Sequence, residues 1–206
     1  MQRILVNGAD AATSEGCECW GNLLERLDRS AAAEGKVLTA IRFDGVDQPS
    51  FRDPGAAGAP IETLAVIEAE TASPADLLDD SVNDAINATD ALAVGAERIA
   101  DAFRGFDVSH ANQDLQELAQ GLGTLVAIAQ ALGQAVGVSL DRVTTDGTAA
   151  SDMLALLCAQ ADELIAAREG GDWITVADII EYDLAPQLRR WPRVFEALRQ
   201  AGCAAQ

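Results

Sequence analysis

Asp178, Glu181 and Asp183 crowd around Tyr182 near the carboxyl end of the chain. Carboxylates three positions apart share one face of a helix. Were one of them buried and its pKa raised, the pair would have the makings of an acid–base couple. No histidine, lysine or nucleophile accompanies them in sequence, and the nearest bases downstream are Arg189 and Arg190, one to two turns along. The group therefore reads as a polar contact cluster on a solvated face, made to other elements or to those arginines, and not as catalytic machinery.

The other chemically capable residues are sparse. Cys17-Glu18-Cys19 on an expected strand would set two thiols on one face. A zinc site needs two further ligands at short spacing. Cys158, on an apolar helical stretch, and Cys203, in the tail, lack a Cys-x-x-Cys partner. Incidental cysteines are the simplest reading, with a reactive or metal-binding Cys17–Cys19 pair left open. His110 is the sole histidine, and the residue three before it is Asp107, so the Glu-x-x-His signature of a di-iron bundle is missing. Hydrolase chemistry would have to run through His110, and no Gly-x-Ser-x-Gly elbow surrounds a serine. Gly121-Leu122-Gly123 lacks the preceding strand and third glycine of a nucleotide loop; small residues that let helices approach explain it better. The sequence thus predicts no catalytic residues, no metal and no cofactor.

Charge narrows the partners. The 206 residues carry 33 acids against 14 bases, a formal charge of −19, and Lys36 is the one lysine. Twelve acids and 6 bases fall in residues 1–72, which leaves 21 and 8 in residues 73–206. Such a field repels phosphate backbones and anionic lipid, so neither nucleic acid nor membrane is expected as a partner. A protein partner with basic segments suits it. No secretory signal opens the chain, which predicts a cytoplasmic, thiol-reducing setting.

The elements that must position these residues follow from periodicity. Ile4-Leu5-Val6 entering Asn7-Gly8 reads as a strand and tight turn. A second strand is expected through Thr13 to Cys19. A helix follows from Trp20 to about Glu34, closed by Gly35, and then a strand from Val37 to Phe43 that meets Asp44-Gly45. Arg52 to Pro60 reads as a loop, and Ile61 to Thr71 as the closing strand.

Ser73-Pro74-Ala75-Asp76 is a helix start: a capping hydroxyl, a proline at the first position and an acid at the positive end of the dipole. It sets a boundary between domains at 1–72 and 73–206. Beyond it, four helices are expected, ending near Gly105, at Val136, at Arg168 and in the tail. In the second, Leu115, Leu118, Leu122, Leu125, Ala129, Leu132 and Val136 alternate steps of three and four. The 23 residues from Leu118 to Leu140 carry no charge. That is long enough to span a bilayer, but the glutamines, glycines and acidic flanks favour a core helix wrapped by the other three. Residues 137–147 read as a polar connection. The third helix, from about Thr148, turns Met153, Leu156, Leu157, Leu164 and Ile165 inward. Pro186 and Pro192 predict a kink near residues 183–186 and another near Trp191 in the fourth helix.

The order strand, strand, helix, strand, strand over residues 1–72 resembles the β-grasp (ubiquitin-like) fold. Ubiquitin-like carriers end in a free Gly-Gly tail; here the chain continues into Ala72-Ser73-Pro74, so that activity is not implied. Ile179-Ile180-Glu181-Tyr182-Asp183-Leu184-Ala185-Pro186, followed by Trp191, resembles the last helix of uncharacterised bacterial proteins that join a small β-rich region to a helical bundle. That resemblance implies no activity.

The expected fold is α+β: a small β-grasp-like domain followed by an antiparallel four-helix bundle. The expected role is a non-enzymatic protein–protein interaction or adaptor protein, possible also as a homodimer. Two other readings stay open: a chaperone-like binder of flagellar or other exported proteins, and a small-ligand-binding protein or enzyme with an interdomain pocket.

Overall fold

The computed structural model describes residues 2–10, 16–105 and 107–204. The chain divides into two compact units, Met1–Leu77 and Leu78–Gln206. The division falls within the first turn of the helix that starts at Pro74.

The first unit is a five-stranded sheet and one helix. Strands β1 (Arg3–Val6), β2 (Ala9–Asp10), β3 (Val37–Phe43), β4 (Val46–Asp47) and β5 (Val66–Ala72) lie in the order β2-β1-β5-β3-β4. β1 and β5 run parallel, and every other pairing is antiparallel. Both hairpins turn where two successive residues take positive φ: Asn7 (+50°) with Gly8 (+80°), and Asp44 (+48°) with Gly45 (+81°). Asn-Gly and Asp-Gly tolerate that backbone best, so the turn chemistry sets the register of each hairpin.

Helix α1 (Trp20–Ala33) lays Trp20, Leu23 and Leu27 onto Ile4, Leu38, Ile41, Ile67 and Ala69 of the sheet. The Trp20 indole N–H donates to the Phe51 carbonyl at 2.7 Å, and its ring meets Phe43 edge-on at 5.0 Å. One side chain thus fills the core and ties down the loop after β4.

Two expectations about this unit need correcting. Residues 16–19 of the expected second strand are not extended ladder: Cys19 makes one isolated bridge to Pro60, and the second strand is Ala9–Asp10. Residues 13–15 of that expectation lie outside the described residues. The closing strand begins at Val66 and not at Ile61. Ile61 is buried all the same, reaching the core from a turn, so its apolar character mimicked a strand start.

The second unit is helical. Helix α2 (Pro74–Arg104) opens as its cap signal demands: the Ser73 hydroxyl accepts the Asp76 backbone N–H at 3.0 Å. Helix α3 (Val108–Ala135) follows a short turn and is capped by Asp107. Residues 137–149 hold more structure than a polar connection. A 3-10 turn (Leu140–Arg142) leads to the two-residue strands β6 (Thr144–Thr145) and β7 (Thr148–Ala149), joined by Asp146-Gly147 at positive φ. Helix α4 (Ala150–Glu169) starts after them.

The last stretch is broken by its prolines. Helix α5 (Trp173–Asp178) widens into a π-helical turn (Ile179–Leu184), tightens again as α6 (Ala185–Leu188), and restarts as α7 (Trp191–Ala204). The ring of Pro186 would strike the carbonyl of Tyr182 in a regular α-turn. In the wider turn the Ala185 N–H donates to Ile180, five residues back. The core of this unit gathers Phe103, Val176, Ile180, Leu184, Leu188, Trp191, Phe195 and Leu198, all at most 2% exposed. Leu156 and Ile165 of α4, expected inside, are 45% and 54% exposed; α4 has neighbours on too narrow a face to cover them. No helix among the described residues is long and apolar enough to cross a membrane.

Candidate functional site

Two of the carboxylates of the cluster expected near the end of the chain meet a residue to which the sequence did not point. Arg104, the last residue of α2, forks between two carboxylates. Its Nη2 donates to Asp178 Oδ1 at 2.8 Å, and its Nη1 pairs with Glu181. The guanidinium also lies over the Tyr182 ring, 5.5 Å from the centroid. The wide turn before Pro186 produces this arrangement by swinging Tyr182 outward, where it is 64% exposed. The Arg104 guanidinium is held above its ordinary pKa, first by the hydrogen bond that it donates to Asp178. Asp183 is exposed and stands apart. Arg189 and Arg190, the expected partners, are engaged elsewhere: Arg189 with Glu97, and Arg190 with Gln187 and Thr148. A carboxylate pair bridged by one arginine is a clasp between α2 and the π-turn. It suits holding two elements together better than moving protons.

Cys17 and Cys19 are half-buried and follow Gly16, and Cys17 and Glu18 have irregular backbone, so the thiols do not share a strand face as expected. No group of three or more histidine, cysteine, aspartate or glutamate side chains placed to hold a metal ion occurs among the described residues. The His110 backbone N–H donates to the capping Asp107, and its ring stands 3.7 Å from Asp114 on an exposed surface.

A concavity with an apolar lining lies elsewhere, along the seam between α2 and α3, with a volume of about 430 Å³. Its floor is Ile99, Leu118 and Leu125, which are buried, with Leu92 and Ile128, which are partly buried. Its walls are small: Ala85, Ala88, Ala91 and Gly95 on α2, Gly121 and Thr124 on α3. One end carries Arg98, Asp114 and Glu117. The cause is side-chain size. Two helices whose facing positions hold alanine and glycine have too little volume to fill the space between their axes, so the seam stays open to water. At Gly121 the Leu92 side chain lies directly against the glycine, and a β-carbon would collide with it. Gly121 therefore does what the sequence suggested for a small residue. Gly123 has open space around it and does not.

The groove also corrects the expectation that α3 is wrapped by the other three helices. Ala111, Leu115, Leu118, Leu125, Ala129 and Leu132 are buried, but Gln116, Ala119, Gln120, Gly123, Thr124, Ala127 and Gln130 are exposed. The uncharged run of Leu118 to Leu140 is thus a one-sided core helix whose outer face is made of small and amide residues. Periodicity identified the inner leucines correctly. It carried no information on whether the facing helix closes over the rest.

Residues 80–194 match a family described as a domain of unknown function, DUF8042. The match holds every residue that lines the groove and the whole Arg104 clasp, and leaves out the sheet of the first unit. No curated protein matches the chain, and no solved structure does. Since the family match covers more than half of the sequence, the chain belongs to that family.

Proposed function

We propose that this DUF8042 protein is a non-enzymatic protein–protein interaction module, and that the α2–α3 groove is its contact site. The observation that carries the reading is the groove itself: an apolar floor, small walls and a charged end, inside the family's shared region. Exposed apolar concavities of this kind mark binding surfaces on otherwise polar molecules. The clasp of Arg104 with Asp178 and Glu181 fits the same picture, because it fixes the end of α2 and so the geometry of one wall.

Two finer structural readings belong to this proposal. The order β2-β1-β5-β3-β4, with parallel central strands and α1 across one face, supports a β-grasp-like first domain over residues 1–72. Helices α2, α3 and α4, with the broken α5–α7 run as the fourth member, support an antiparallel four-helix bundle over residues 73–206. The acidic surface, −19 overall, supports a protein partner carrying basic segments.

A photo-reactive benzoylphenylalanine at Ala91, in the groove wall, tests the contact site in the native host. A discrete cross-linked protein is expected from Ala91 and none from the same group at Asp162, on the exposed side of α4. Equal yields from both positions, or a small molecule co-purifying in the groove, would refute it.

A further inference from the structure

Resting on that reading, we infer that the occupant of the α2–α3 groove is an amphipathic α-helix of a partner protein, apolar on one face and flanked by lysine or arginine. Three features of the groove select this occupant. The first is length. The floor and walls run from Ala85 to Ile99 along α2, which at 1.5 Å per residue is about 20 Å, roughly four helical turns. A helix of that size presents four or five large side chains at i, i+3, i+4 and i+7, enough to meet the floor over its whole length.

The second feature is shape. Ala88, Ala91, Gly95 and Thr124 let a third backbone come as near as helices pack, about 8–10 Å between axes. The volume that those small residues leave empty is what the visiting leucines would fill.

The third is charge. Asp114 and Glu117 line the groove beside a single base, Arg98. Asp84 stands exposed on α2 one turn before Ala88, on the same side of the helix. A fatty acid would bring its carboxylate to an end where two acids face one base. A second copy of this chain would set acids against acids across the seam. A helix flanked by cations gains at Asp84, Asp114 and Glu117, which outnumber Arg98, and the field of the unit would steer it in.

The test is fluorescence anisotropy of the full chain with three labelled peptides of about 18 residues, five turns. The first has leucines on one helical face and lysines on the rest, the second is its scrambled isomer, and the third has glutamate in place of lysine. The amphipathic leucine–lysine peptide is expected to bind in the micromolar range, with about tenfold loss on scrambling, no binding with glutamate, and weakening as salt rises. Gly95→Leu is the blocking variant. A β-carbon at Gly95 meets open space, so the substitution fills the groove without disturbing the core and raises helix propensity. It should cost about tenfold or more in affinity while the melting temperature holds or rises. The pair Asp162→Asn with Glu163→Gln, on α4, should change affinity little.

The inference is overturned if the scrambled peptide binds equally, or if Gly95→Leu leaves binding intact. Binding of dodecanoate in the absence of peptide binding, or a dimer in sedimentation that Gly95→Leu dissolves, would overturn it in favour of those occupants. If Gly95→Leu abolishes cross-linking at Ala91 in cells while no peptide binds, the helix inference falls and the interaction reading stands. Failure of the Ala91 cross-link itself removes both.

Discussion

Two seams of the helical unit are built from similar apolar spacing and end in opposite states. Around α5, the π-turn and α7, the seam is shut. Phe103 stacks on Trp173 at 5.6 Å, Trp191 meets Phe195 at 5.9 Å, and Val176, Ile180, Leu188 and Leu198 are fully buried. Between α2 and α3 the same three-four periodicity leaves a trough. The difference is volume at the facing positions: large rings and leucines on one side, alanine and glycine on the other. Periodicity decides which way a residue points, and size decides whether the helices then exclude water.

The comparison breaks first on truncations. Trp191→Ala or Phe195→Ala should cost about 3–5 kcal/mol in urea unfolding. Leu198→Ala, in the shut seam, should cost about 2–5 kcal/mol. Leu92→Ala, partly buried beside the trough, should cost less, about 1–2 kcal/mol, since part of its surface already meets water. Equal losses for Leu198 and Leu92 would mean that the trough is closed in solution.

Glycine exchanges sharpen it. A β-carbon on Gly202 of α7 would lie 2.5 Å from Leu78 and 2.8 Å from Val136, and a β-branched neighbour has little room to turn away. Gly202→Ala should lose about 1–3 kcal/mol in spite of better helix propensity. Gly95→Ala, facing open space, should gain about 0.5–1 kcal/mol. Opposite signs for two helical glycines would be the mark of one packed seam and one open one.

The smallest effect concerns the start of α5. Asp172 accepts the Thr175 backbone N–H at 3.1 Å and the Thr175 hydroxyl at 2.7 Å, and these hold its carboxyl below the usual range. A depressed folded pKa adds stability above the unfolded value, and that stability is lost as pH falls through the folded one. Asp172→Ala should therefore lower the melting temperature at neutral pH, and the gap to the wild type should shrink below about pH 4. A gap independent of pH would remove the charged cap as its cause.

How much of this was legible in sequence varies with the range of the contact. Asn7-Gly8, Asp44-Gly45 and the Ser73-Pro74-Ala75-Asp76 start are local devices, and the structure places turns and a cap there. Asp146-Gly147 is the same local device, but its strands are two residues each, too short to alternate, so it passed as a polar connection. Ile61 shows the reverse error, an apolar residue buried from a turn. The partners of Asp178 and Glu181 lie 74 and 77 positions away at Arg104, and no spacing rule reaches that far. The trough depends on the separation of two axes, which residue type constrains only through volume.

The wide turn at residues 179–184 has a further effect, on rotational phase. Val176, Ile180, Leu184 and Leu188 are spaced by four, and each is at most 2% exposed. In a uniform α-helix such a series creeps around the axis by about 40° per step, and the last member would have left the core. A turn with more residues per circuit winds the series back and keeps all four in line. Forcing residues 179–184 into regular α-turns at full length would undo that reset and rotate Leu188, Trp191 and everything after them by about 100°, a heavier injury than any side-chain exchange at the same positions.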